Sequence, residues 1–205
     1  ESLERDVAWM GWTPARTTFT SDYFPAFYEI ALQLIRAGRA FVCHQSKAEI
    51  EACRQVAVAQ SKDAAAPGDP FSPYRARSVA ENLRLFERMR VGACGESECT
   101  LRLKMWERGM SNYNMHDQVA YRIRYVAHPH QGDKWCIYPT YDFTHCVVDA
   151  LEHIDYSICT LEFETRRESY YWLLEAIGAF RPKVYEMSRV NVSYIVLSKR
   201  KLIKL

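Results

Sequence analysis

The chain has 205 residues, 48% of them hydrophobic and 25% charged, with 27 Lys and Arg against 25 Asp and Glu for a net charge of +2. That balance excludes a disordered or fibrous chain and predicts one large domain or two small ones. No apolar run approaches the roughly 18 residues of a spanning helix, so no membrane partner is expected, and the near-neutral total gives no global argument for nucleic acid.

In chain order, Ser2 to Met10 sets Leu3, Val7 and Met10 at helical spacing and halts at Gly11. Asp22 is the expected cap of a second helix, with Phe24, Phe27, Ala31 and Leu34 as its buried stripe and Gly38 as its stop. Ala40 to Cys43 reads as a short strand. Val56 to Pro70 is alanine-rich and then turn-rich, which predicts a loop or partly disordered insertion. Ser78-Val79-Ala80-Glu81 predicts a capping box, with Val79, Leu83, Phe86 and Arg90 running to Gly92.

Two alternating segments follow. Leu101, Leu103 and Met105 alternate with Arg102 and Lys104; Val119, Tyr121, Ile123 and Tyr125 alternate with Arg122 and Arg124. On one sheet the four cations would line one surface, which is either a solvated face or a phosphate-contacting one. From Trp135 the texture becomes strand (136–138), helix (141–154), strand (157–163), helix (166–177) and a strand near Val184, which argues for a parallel α/β layer with ligands at the carboxyl ends of its strands.

The seven cysteines are odd in number, include no Cys-x-x-Cys, and sit mostly in apolar runs, so a reducing cytoplasm fits better than a disulfide framework or zinc ribbon, and no metal site is expected. No dinucleotide fingerprint, Walker loop or nucleophile elbow occurs. His128 and His130 lack carboxylate or thiol partners at ligand spacing and read as a loop pair. Tyr141 and His145, four apart at the start of a helix, offer a phenol and an imidazole to a small polar ligand, or form a satisfied core pair. Cys159 and Phe163 fall on one side of the next strand by period two. Arg166 and Arg167 occupy the first turn of a helix expected to be capped by Thr165 with Glu168, where the dipole disfavours cations; the arrangement is an anion site or a solvated helix start. Lastly, Ser198-Lys199 in a loop after a strand can grip a polyphosphate, although basic runs are also solvated tails.

The run Cys136 to Cys146 (CIYPTYDFTHC), Ser157 to Phe163 (SICTLEF), Ser188 to Asn191 (SRVN) and Val196 to Leu202 (VLSKRKL) closely resembles the glutaminyl-tRNA synthetases, a class I family. Ser21 to Phe24, Cys43 to Gln45, Ser72 to Arg75 and Gly132 to Trp135 extend the resemblance over essentially the whole chain. It implies an α/β fold: residues 1–38 and 136–205 as part of the second half of a Rossmann-type catalytic domain, with 39–135 as an inserted α+β domain that receives the tRNA acceptor stem. Leu101 aligns with a family residue that wedges open the end of that stem. Arg102, Lys104, Arg122, Arg124 and Arg166 would contact the tRNA, and Thr165 stands where some members place an aspartate that reads the minor groove.

The resemblance further implies that Tyr141, His145, Cys159 and Phe163 surround the substrate glutamine, and that Thr160, Arg189, Val190, Leu197, Ser198 and Lys199 contact ATP. Glutamine would attack the α-phosphate of ATP and then pass to the terminal adenosine of tRNA(Gln), with Lys199, Ser198 and the Mg2+ of the ATP complex stabilising charge. The other class I signature, His-Ile-Gly-His-like, does not occur, the chain opens on Glu1 without a leader, and the end is a bare basic run. Both ends therefore read as cut, and the fragment alone is expected to be inactive. Eukaryotic-type glutamyl-tRNA synthetases, the nearest competing family, carry arginine where Cys159 stands; a non-catalytic tRNA-binding module is a further alternative. A cytoplasmic location follows from the resemblance, which leaves association with other synthetases open.

Overall fold

The computed structural model describes residues 2–188, 193–194, 196 and 198–204, with only the backbone of Lys199. Helix α1 (Ser2–Trp9) buries none of its residues. A one-turn 3-10 helix at Thr20–Tyr23 leads into α2 (Phe24–Arg36). Asp22, expected to cap α2, lies inside the 3-10 turn instead, where its carboxylate accepts the Phe19 N–H at 3.1 Å. Tyr23 holds the cap position with no side-chain bond, and Pro25 in the first turn removes one N–H that would have needed an acceptor. The buried stripe is Phe24, Phe27, Ala31, Leu34 and Ile35. Gly38, at φ +69°, reverses the chain so that Arg39 N–H reaches the Leu34 carbonyl at 2.8 Å.

Strand β1 (Ala40–Cys43) is buried throughout. Helix α3 (Lys47–Lys62) corrects the loop reading of Val56 onward: a Ser46/Glu49 capping box starts it, and alanine and long straight side chains carry it through Lys62. Only the stretch beyond is loop, and the Gln60 amide ties it down by donating to the carbonyls of Ala66 and Gly68 at 3.0 and 2.9 Å. In α4 (Val79–Arg90) Ser78 Oγ accepts from Glu81 N–H, but the Glu81 carboxylate turns to Arg77 at 3.4 Å, so only half of the box forms. Its buried face is Asn82, Leu85, Phe86 and Met89 rather than the stripe through Val79 and Leu83. Asn82 is drawn inward because its Oδ1 accepts the Val42 N–H at 2.8 Å while its amide donates to the Arg77 and Ser78 carbonyls.

Strands β2 (Thr100–Leu103), β3 (Val119–Ile123) and β4 (Ile137–Pro139) join β1 in a four-stranded antiparallel sheet ordered β1-β2-β3-β4. The sequence placed β4 in a parallel layer. It pairs antiparallel with β3 because the chain turns back on itself between them, closed by a bridge between His128 and Gly132. Among the described residues, parallel pairing is confined to β5 (Tyr156–Thr160) and β6 (Lys183–Met187), which are connected by α6 (Arg167–Ile177). Helix α5 (Tyr141–Leu151) follows β4 directly, and a short α7 (Lys199–Leu202) lies near the end of the described chain.

One contiguous core runs through the molecule, from Phe27 and Leu34 of α2 through Phe86 and Tyr121 to Phe143 of α5 and Leu173 of α6. The opposite face of β2, read as a basic surface that is either solvated or phosphate-contacting, is roofed at Arg102 by the 104–117 segment, whose His116 carbonyl lies 3.4 Å from Arg102 Nη2. Arg75 fastens that roof: its Nε lies 2.8 Å from Asp117 Oδ2, and its Nη2 donates to the Trp106 carbonyl at 2.8 Å.

Candidate functional site

The junction of β4, α5, β5 and α6 builds a cleft. Strand β4 ends at Pro139, and Thr140 then anchors the turn, its Oγ1 donating to the Val119 carbonyl at 2.6 Å and its N–H to Ala120 at 2.9 Å. Helix α5 therefore starts at a fixed place, with Tyr141 at its first position and His145 one turn on. Their rings stack at 5.1 Å. Across from them, Cys159 comes from β5 and Phe163 from the 3-10 helix Leu161–Arg166, with the Phe163 ring 6.2 Å from Tyr141. Phe163 is thus not a strand residue, because β5 stops at Thr160; the tighter helix brings it to the cleft all the same. All four residues singled out for a small polar ligand line one cavity, together with Arg166 and Tyr170.

Burial raises the Cys159 pKa, and the Glu186 carboxylate raises it further, so the thiol stays neutral. Burial likewise raises the Tyr141 pKa, which keeps its hydroxyl protonated. His145 Nε2 faces Asp149 Oδ2 at 3.4 Å, and the Tyr170 hydroxyl donates to the same oxygen at 2.9 Å. Arg166 pairs with Asp142, and its guanidinium lies 5.4 Å from the Phe163 ring centre and 6.0 Å from that of Tyr141. Arg167 grips Glu186 through two nitrogens, the Nε bond being 2.9 Å.

These pairs correct the reading of the Arg166-Arg167 turn. Thr165 is not its cap; Arg166 occupies that position without a side-chain bond, and the Arg167 N–H is already used by the Glu164 carbonyl of the preceding 3-10 turn. Of the two readings left open, an anion site built on free guanidinium groups is not formed, because both guanidinium groups are taken from within the chain. Thr165 is exposed, and its carbonyl accepts from Asn112 and Asn114 at 3.0 and 3.4 Å.

The four-cation surface is not formed either. Between Leu101, opposite Tyr121, and Arg102, opposite Val119, the register slips, which breaks the period-two alternation. Arg102 is buried under the roof, with Nη2 3.4 Å from the His116 carbonyl, and desolvation lowers its pKa. Leu101 is wholly buried and offers no surface for a wedge. Lys104 is half-buried, its pKa lowered by desolvation and by Arg75.

Arg122 and Arg124, by contrast, are exposed on one side of β3 and line a groove of about 330 Å³ with His128, Pro129 and Tyr138. Tyr138 stands opposite Arg122 in register, and the His128 ring stacks on it at 5.9 Å. Neither arginine has a carboxylate partner among the described residues.

Of the phosphate-contacting group, Thr160 ends β5, partly buried, and the Ser198 carbonyl accepts from Lys201 and Leu202 at the start of α7, both at 2.9 Å. Arg189, Val190, Leu197 and the Lys199 side chain lie outside the described residues. No cluster of three or more metal-ligating side chains occurs among the described residues. Sequence reasoning missed Asp142, Asp149, Tyr170 and Glu186. Only Asp149 left a signal, four residues after His145 on the same helix face.

Comparison with known proteins gives a consistent picture. The family "tRNA synthetases class I (E and Q), catalytic domain" matches residues 1–205. A glutamine-tRNA ligase of Lupinus luteus is 50% identical over 205 residues, covering 100% of this chain and 24% of that protein. A cytoplasmic glutamine-tRNA ligase of Arabidopsis thaliana is 49% identical over 98% of this chain and 24% of its own length. The ligase of Vibrio cholerae is 46% identical over 98% of this chain and 35% of its own. The chain thus spans about a quarter to a third of the length of these relatives. A glutamate-tRNA ligase structure from Elizabethkingia meningosepticum superposes with a TM-score of 0.60 at 16% identity, over 98% of this chain and 42% of that one, which is a likeness of fold.

Proposed function

Since the chain belongs to the class I tRNA synthetases of the glutamate and glutamine type, as part of their catalytic domain, we propose that it is the part of a glutamine-tRNA ligase that holds the amino acid and the acceptor end of tRNA(Gln). The observation that carries this reading is the cleft, where Tyr141, His145, Cys159 and Phe163 converge around a neutral thiol. A glutamine carboxamide can hydrogen-bond to the Tyr141 hydroxyl and His145 while its methylenes lie on Phe163. A glutamate carboxylate in the same place loses its hydration beside a neutral thiol, and an unpaired buried charge is costly.

In this reading residues 1–38 and 136–205 belong to the nucleotide-binding catalytic domain and 39–135 to the acceptor-binding insertion. The glutamine α-carboxylate attacks the α-phosphate of the substrate MgATP, pyrophosphate leaves, and the resulting glutaminyl-adenylate transfers its acyl group to the terminal adenosine of the tRNA. The metal arrives with the nucleotide. Thr160, Arg189, Val190, Leu197, Ser198 and Lys199 hold the nucleotide, and Ser198 and Lys199 face the phosphates. Arg122 and Arg124 serve the tRNA, since exposed guanidinium groups without carboxylate partners suit a phosphate backbone. No described helix is long and apolar enough to cross a membrane. Likeness to the cytoplasmic ligase of Arabidopsis supports placing the reaction in the cytoplasm.

The test is ATP-dependent charging of tRNA(Gln). The full-length protein should attach glutamine, and the 205-residue chain alone, which contains no His-Ile-Gly-His-like run, should attach none. Failure of the full-length protein to charge glutamine, or charging by the 205 residues alone, would overturn this reading.

A further inference from the structure

Every basic side chain at the cleft already has a carboxylate. Arg166 is taken by Asp142, Arg167 by Glu186, and His145 faces Asp149. The first of these pairs is poorly explained as a stabilising device. Arg166 and Asp142 are 40% and 34% exposed, and an ion pair between two such side chains contributes little to stability. Their placement is more telling. The Arg166 guanidinium lies 6.0 Å from the Tyr141 ring centre and 5.4 Å from that of Phe163, both of them rings that line the cavity. Arg167 reaches Glu186 on β6, and Glu186 is the residue opposite Cys159 in the parallel β5–β6 register. Its carboxylate is only 4% exposed, so the guanidinium is drawn to the strand beside the thiol.

We propose that Asp142 and Glu186 are specificity-determining residues: each holds a guanidinium that would otherwise be free at the cleft, so neither arginine is available to pair with a substrate side-chain carboxylate. The inference deepens the glutamine reading above and rests on it. Cys159 contributes a neutral thiol to the cavity wall; Asp142 and Glu186 explain why two neighbouring arginines do not supply a free charge. Release of Arg166 would place a fork of donors against the ring walls, and a carboxylate is the group that such a fork matches in a bidentate way.

The experiment compares full-length wild type, Asp142→Asn, Glu186→Gln and the double variant Asp142→Asn/Arg166→Gln in ATP-dependent charging of tRNA(Gln), with kcat/KM measured separately for glutamine and glutamate. Asp142→Asn should raise the glutamate-to-glutamine ratio about tenfold, the size of a 1.4 kcal/mol change. Glu186→Gln should raise it less, because the amide still accepts from Arg167. Removing the released cation in the double variant should return the ratio to within about twofold of wild type, which a general loosening of the cleft would not do. An unchanged ratio in Asp142→Asn, with wild type charging glutamine normally, overturns the proposal and leaves the glutamine reading standing; equal rises in the single and double variants also overturn it. A wild type that charges no glutamine overturns both.

Discussion

Two arginine-bearing regions of this molecule face different partners, and their bookkeeping of charge differs accordingly. At the cleft, Arg166 and Arg167 are each held by a carboxylate of the same chain, Asp142 and Glu186, and the Cys159 thiol that lines the same cavity is neutral. At the groove beside β4, Arg122 and Arg124 are exposed and have no such partner among the described residues. Counting cations along the chain does not separate the two regions. What separates them is whether the fold supplies the counter-charge, as it does where a neutral ligand must be told from an anionic one, or leaves it to a polyanionic partner.

The sharpest way to break that contrast is to put a fixed charge where the cleft has none. Cys159→Arg in the full-length protein should lower kcat/KM for glutamine by about 100-fold or more, through both volume and charge, while tRNA affinity, measured by filter binding, changes little. A large loss of tRNA binding would show that the regions are not distinct.

Leu101→Ala examines the other half of the contrast. The side chain is fully buried in the core, so the change should destabilise the fold by about 2–5 kcal/mol in denaturant titration. The tRNA affinity of the remaining folded protein should stay within about twofold. A selective loss of acceptor-end binding at unchanged stability would restore the wedge role that the sequence suggested.

Arg122→Ala with Arg124→Ala should weaken tRNA binding about tenfold and reduce the slope of log affinity against log salt by roughly 2, one for each lost phosphate contact. The KM for glutamine should hold. An unchanged salt slope would mean that these arginines face solvent only.

The smallest effect concerns the seam where α5 ends. Tyr23 Oη donates to Glu152 Oε1 at 2.7 Å, and that bond, ahead of weaker contributions from Thr18 and Arg16, holds the carboxyl below its usual range. A lowered carboxyl pKa adds stability above its unfolded value, near 4.5, and loses it as pH falls through the folded value. Glu152→Gln should therefore flatten the decline of Tm on acidification by a degree or two, with no change at pH 7 in the slope of Tm against pH.

Much of this was legible in the sequence, and the failures have identifiable causes. Helical and strand periodicities located nearly every element, because they report which face is buried. They did not reveal what covers the other face: Arg102 alternates correctly with Leu101 and Leu103, yet the 104–117 segment roofs it over. Tyr141 and His145 were readable as one helix face, and Cys159 with Phe163 as neighbours, although the latter pair meets through a 3-10 turn and not along a strand. Asp142 and Glu186 left no local signal, since their arginines lie 24 and 19 residues away. The packing of α6 against α5, and of the 3-10 helix Leu161–Arg166 against β5 and β6, brings them together.

The most direct measurement is a competition between glutamine and glutamate for charging of tRNA(Gln) by the full-length protein with ATP. A cleft with a neutral thiol and no free cation predicts a preference for glutamine of about 10⁴-fold in kcat/KM, the scale on which a hydrogen-bonding site rejects an analogue that leaves buried groups unpaired. Equal use of the two amino acids, or a preference for glutamate, would contradict it.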